Sequence, residues 1–328
     1  MNKKRFHSLV ILALALSASQ SQMSMAQTTP DRSGRQYTAG VGHVAKSAPI
    51  STTAASLGVD ANADAVALGL AKQKTYKFRS VDYPGATDTY LDDYDAGMAV
   101  GEFYYPNVDE EFYFSGTSYH VLNIPGATGA LVTSINSSHQ MAGVYQDSGG
   151  NDHGFVYDGK SLITIDAPKA TDTFVSKISD SGLIVGFYSD SRDVQHGFLD
   201  ENGTFSDINF PHSSATSANG VSSSGEIAGY YNDSQGSAHG FLLSNGKYSS
   251  IDFPGAKGTF ANDINDAGTI AGTYGDGSEH GFTYAGGVFT TVDVPGAMST
   301  TLLRIKNNQN VVGYLEDSLG EIHGFIGK

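Results

Sequence analysis

The stretch YSSIDFPGAKGTFANDINDAGTIAGTYGDGSEHGFTY, residues 248–284, contains one complete structural unit. It opens with a short alternating strand, Tyr248 to Phe253, that ends at Pro254. A second strand is predicted over 259–264. Asn265-Asp266-Ala267-Gly268 then supplies a tight turn, with glycine where positive φ is wanted. A third strand over 269–276 and a fourth over 280–284, opened by His280-Gly281-Phe282, complete the unit. Four short strands joined by hairpins make one propeller blade. No stretch keeps a helical period, which excludes the helical repeat arrays.

Outward from this unit, the same markers recur in one phase. Pro84, Pro125, Pro168, Pro211, Pro254 and Pro295 are spaced by 41, 43, 43, 43 and 41 residues. His-Gly-Phe recurs at His153, His196, His239, His280 and His323. A glycine-centred strand recurs around Gly143, Gly186, Gly229, Gly272 and Gly313. Repeats of roughly 40–45 residues point to propeller blades.

The ends of the repeat region are out of phase with each other. It begins with a proline strand, Phe78 to Pro84, and ends with a His-Gly-Phe strand and Lys328. Pairing the two closes a ring. The expected fold is therefore all-β, a six-bladed β-propeller of ~43-residue four-stranded blades. Its N-terminal strand (76–84) completes the last blade. Closure removes the exposed sheet edges of an open array.

These residues resemble the extracellular HAF repeat family, named for its His-small-Phe signature, over residues 76–328. The Asn-Asp-x-Gly turn and the Pro-Gly-Ala stretches at Pro84, Pro125, Pro254 and Pro295 match the pattern as well. Pro168-Lys169-Ala170 and Pro211-His212-Ser213 depart from it. So does the first blade, where Glu110-Glu111-Phe112 stands in place of His-Gly-Phe. The resemblance implies a secreted repeat protein without a settled activity.

Before the repeats, Lys3, Lys4 and Arg5 precede an apolar run, Leu9 to Leu16, and then Ser24-Met25-Ala26. This is the pattern of a signal peptide over 1–26. The apolar run is too short to span a bilayer. Residues 27–75, rich in Ala, Ser, Thr and Gly, read as a flexible lead or linker. The expected destination is the periplasm or exterior of a bacterium, as a monomer with no membrane span. The 328-residue chain has no cysteine, so disulfides and thiolate metal sites are excluded. Its net charge is -15, and loss of the three basic and no acidic side chains of 1–26 takes it to -18. Such a chain repels phosphate backbones, so no nucleic-acid partner is expected.

Five of the ten histidines belong to the repeat. An aspartate precedes each across a turn: Asp147, Asp190, Asp233, Asp276 and Asp317. A His–Asp bond bracing that hairpin is expected, and neither a metal nor a cofactor is called for. Function enters where the repeat departs from itself. Nine residues after each proline stand Asp93, Ser134, Lys177, Gly220, Asp263 and Arg304, followed by a uniform apolar column. Asp93, Lys177, Asp263 and Arg304 are the candidate ligand-binding residues. They are expected at one end of the ring axis, exposed, and removable at little cost in stability. The predicted function is a binding or scaffold module for a carbohydrate or cell-surface polymer. The alternative is a hydrolase or lyase acting on a polysaccharide, which needs paired carboxylates, or a base with a charge neutraliser, at the axis.

Overall fold

The computed structural model describes residues 75–105, 108–115 and 118–328. The signal peptide and most of the linker read from the sequence lie outside the described residues. Six four-stranded antiparallel sheets form a six-bladed β-propeller, and no helix occurs among the described residues. In chain order, blades 1 to 5 cover 88–121, 129–165, 172–208, 215–251 and 258–291. Blade 6 combines 299–327 with Phe78–Ser80. Each blade runs from an inner strand through a glycine strand and a histidine strand to an outer proline strand.

The ring closes as its phase demands. Phe78 pairs with Gly327, Arg79 with Ile326 and Ser80 with Phe325. Val81 N–H donates to the Gly324 carbonyl at 2.8 Å, and Lys77 N–H donates to Lys328 at 2.8 Å. Beyond this strand Tyr83 stacks on Phe103 of blade 1, with centroids 3.7 Å apart.

His-Gly-Phe divides its work by side. The phenylalanines Phe112, Phe155, Phe198, Phe241, Phe282 and Phe325 are all fully buried. Each contributes roughly 1.5–3 kcal/mol of apolar burial. The middle glycine faces the next blade. A Cβ on Gly281 would come within 2.7 Å of Leu302 on the inner strand of blade 6. The glycine strand is equally constrained: a Cβ on Gly143 would meet the Leu131 carbonyl oxygen at 2.0 Å. Blade 1 keeps the phenylalanine but replaces the facing glycine by Glu111, whose Oε2 accepts from Val132 N–H of blade 2 at 3.1 Å. The proline loops tolerate their departures by backbone strain, with Lys169 at φ 69° and His212 at φ 65° where other blades have glycine.

A chain beginning at Thr75 keeps every described strand, whereas one beginning at Gly85 loses the closing strand, buried Val81 and the Tyr83–Phe103 stack. The shorter chain should be less stable by roughly 3 kcal/mol or more, or should aggregate through its open edge. Equal urea midpoints for the two chains would contradict the closure.

Candidate functional site

The axis is built by a backbone irregularity that every blade shares. Each inner strand carries a β-bulge, between Leu91 and Asp93, Val132 and Ser134, Val175 and Lys177, Ala218 and Gly220, Ala261 and Asp263, and Leu302 and Arg304. A bulge inserts an unpaired residue and re-aims its groups. Here the extra residue turns its carbonyl off the ladder toward the axis. Arg304 collects four of them. Its Nη2 donates to the Thr133 and Ser176 carbonyls at 2.6 and 2.8 Å, and its Nη1 donates to those of Asn262 and Asn219 at 3.3 and 3.4 Å. One guanidinium on blade 6 thus joins blades 2, 3, 4 and 5.

The structure brings the other three candidates to the same place. Lys177 Nζ lies 3.2 Å from Asp93 Oδ2 and 3.3 Å from Asp263 Oδ2. Arg304 Nε stands 4.0 Å from Asp93. The sequence column omitted Lys306, two residues past Arg304, which pairs at 2.9 Å with both Asp93 and Asp95. Each carboxylate also clamps a neighbouring blade. Asp93 Oδ2 accepts from Ile135 N–H at 3.0 Å, and Asp263 Oδ2 accepts from Ile305 N–H at 3.1 Å.

One expectation is overturned here. Asp93 and Asp263 are 0% and 1% exposed, and Lys177 and Arg304 only 6% and 7%. These charges are a plug through the ring axis and not a solvated mouth, so the low cost of removing an exposed pair does not apply to them. Burial alone would raise the Asp93 carboxyl, but Lys177, Lys306 and Arg304 together hold it far below the carboxylate range. Burial lowers the Lys177 ammonium, and Asp263 and Asp93 recover only part of this because Lys306 and Arg304 stand near. Lys306 loses less to burial than it gains from Asp93, Asp95 and Asp263, so it stays firmly protonated.

At the end of the axis where inner and glycine strands are joined by turns, a polar depression opens over this plug. Lys177 and Asp263 line its floor, and Asp95, Asp180, Asp266 and Lys306 line its walls. It spans about 350 Å³ counting its open mouth.

The histidines occupy the opposite face. Each lies 3.5–3.7 Å through Nε2 from the aspartate across its turn, as for His153 and Asp147 at 3.5 Å and His323 and Asp317 at 3.7 Å. The closer partner is one the sequence reading missed. Thirteen residues on, beside the proline, Asp166, Asn209, Asp252 and Asp293 approach Nδ1 of their histidines at 2.9–3.1 Å. For His323 this partner is Asp82, 241 residues away on the closing strand. Burial would lower the His153 imidazole, but the Asp166 and Asp147 carboxylates outweigh it and raise it. Among the described residues one group has the composition to hold a metal ion, namely Asp317, Glu321 and His323, with ligand atoms within 4.8 Å of one another.

No protein-family model and no curated protein matches the chain. Solved propellers are similar in architecture. The β-propeller domain of the Trilobed protease from Pyrococcus furiosus is 12% identical, with a TM-score of 0.47, over 74% of this chain and 94% of that one. Aleuria aurantia lectin, solved with α-methyl-L-fucoside, is 14% identical with a TM-score of 0.43, over 71% and 91%. TolB from Acinetobacter baumannii is 11% identical with a TM-score of 0.46, over 74% of this chain and 55% of TolB.

Asp93→Asn leaves Lys177 and Lys306 buried beside a neutral amide, and should cost about 3–5 kcal/mol in urea unfolding at pH 7. Because the folded-state carboxyl is depressed, its contribution is present above pH ~4 and is lost as the pH falls. The variant's deficit should therefore shrink on acidification, and a deficit that is constant with pH would contradict the ion-pair account. For His153 the sign is opposite, since a raised imidazole favours the fold below pH ~6.5. In an NMR titration His153 should titrate above free histidine, and Asp166→Asn should lower it.

Proposed function

We propose that the chain is a secreted binding module for a hydroxyl-rich ligand, a carbohydrate or cell-surface polymer, and that one terminal unit of it sits in the axial depression. The observation that carries this is the depression itself, a polar bowl over a rigid floor at the place where departures from the repeat converge. Its volume is at the small end for ligand sites. Lys177 directs donors at Asp93 and Asp263 and has a third hydrogen to offer a ligand hydroxyl. Asp95, Asp180 and Asp266 supply acceptors around it. Asp93 and Asp263 serve this site by fixing the position of Lys177.

The plug favours binding over hydrolysis. Glycoside cleavage needs one carboxyl that can give up a proton. Asp93 is held ionised by three cations, and Asp263 is tied to Lys177 and to Ile305 N–H. The His-Gly-Phe register supports placing the chain among the HAF repeat proteins. The basic and apolar pattern of 1–26 supports export. No helix among the described residues is long and apolar enough to cross a membrane.

The test is a glycan array followed by calorimetry on the best hit. Asp266→Ala and Asn307→Ala alter the exposed rim. Each should weaken binding about tenfold, the effect of one lost charged or polar hydrogen bond, while the melting temperature changes little. Release of sugar products would replace this reading by the hydrolase or lyase. Absence of any retained glycan would remove it.

A further inference from the structure

In three of the six blades the bulge residue also ties its blade to the next through its side chain, whereas Ser176 Oγ is buried without a partner and blade 6 has Leu303 there. Thr133 Oγ1 donates to the Val175 carbonyl at 2.8 Å, Asn219 Nδ2 to that of Ala261 at 3.5 Å, and Asn262 Nδ2 to that of Leu302 at 2.8 Å. All three are donors, and all three acceptors hold the same repeat position. In blade 2 that position is Val132, and the bulge residue of blade 1, at the repeat position of Thr133 and Asn262, is Asp92. An ionised carboxylate accepts only; a protonated one donates. The N–H of Val132 is already taken by Glu111. Asp92 Oδ2 is buried with no hydrogen-bond acceptor or donor assigned to it.

We propose that Asp92 is a proton-operated latch between blades 1 and 2: protonated, it donates to the Val132 carbonyl as Thr133 and Asn262 do to theirs; ionised, it loosens that joint. The surroundings are set against the ionised form. Glu102 of the glycine strand and Glu111 of the histidine strand face each other as a cross-strand pair. Glu102 and Glu111 are 2% and 5% exposed. Asp93 adds a third negative charge, and Arg304 from blade 6 is the opposing cation. Tyr90 and Tyr314 pack nearby, and both are held protonated by burial. Burial and then Glu102 and Glu111 raise the Asp92 carboxyl well above the carboxylate range. A raised carboxyl binds its proton more tightly in the fold than in the unfolded chain. Its contribution is complete below pH ~4 and is lost as the pH rises through the raised value.

The test is the melting temperature of the full chain between pH 5 and 9, with amide exchange at the blade 1–2 joint. The wild type should become less stable as the pH rises through this range. Asp92→Asn supplies a permanent donor. It should match the wild type near pH 5, exceed it by about 2–4 °C at pH 8, and protect the Ile135 amide about tenfold better there, the equivalent of one pK unit. Glu111→Gln removes one repelling charge and should move the wild-type fall to lower pH. An Asp92→Asn protein that is less stable at every pH with the same slope would overturn the latch, as would a Glu111→Gln profile that does not move.

Discussion

Everything at the centre of this ring depends on one guanidinium. The inner strands of a propeller meet edge-on at the axis, where their carbonyls have no ladder partner. A buried unpaired carbonyl costs on the order of 1–3 kcal/mol, so the convergence of several needs a donor at the centre. Arg304 is that donor, with a planar fork reaching four carbonyls from four blades. The charge it brings must then be balanced in a dry place. Asp93, Asp263 and Lys177 follow from that need, and Lys306 extends the balance to the junction between the last blade and the first.

The junctions show how a repeat accommodates a closed ring. Asn136 and Asn265 cross to the next blade by donating a side-chain amide to the carbonyls of Ser179 and Lys306. At the closing junction the corresponding residue is Lys306, and it makes ion pairs with Asp93 and Asp95 instead. The seam where chain ends meet is thus held by charge at the inner rim and by β-pairing at the outer edge. Blade 1, next to the seam, is the least regular member, and its carboxylates Glu102 and Glu111 occupy positions that are apolar or glycine in blades 2 and 3.

Periodic features were legible in the sequence because each solves the same steric problem six times. The proline register and the buried phenylalanines belong to this class, and the single pairing of the termini follows from their phase. The charged column was legible as a departure, and its radial place followed from ring symmetry. Its burial was not legible, because nothing in the spacing announces a bulge that turns carbonyls inward. Lys306 escaped because it lies two positions beyond the column, where other blades carry Asp, Asn or Ser. The histidine's closer partner beside the proline escaped because the bond spans 13 residues across an outer hairpin in four blades and 241 at the seam, while a nearer aspartate offered a simpler partner.

The closing strand has a consequence for the order of events during synthesis. Its residues emerge from the ribosome long before their partners, Phe78 well ahead of Gly327. Asp82 and His323 are 241 residues apart. Contacts this distant in sequence make folding slow, and the ring cannot close before residues 325–327 have been made. Until then the six sheets lack both their seam and the arginine at their hub, which itself lies only 24 residues from the C-terminus. Until that pairing forms, the sheets already made carry open strand edges that the finished ring hides.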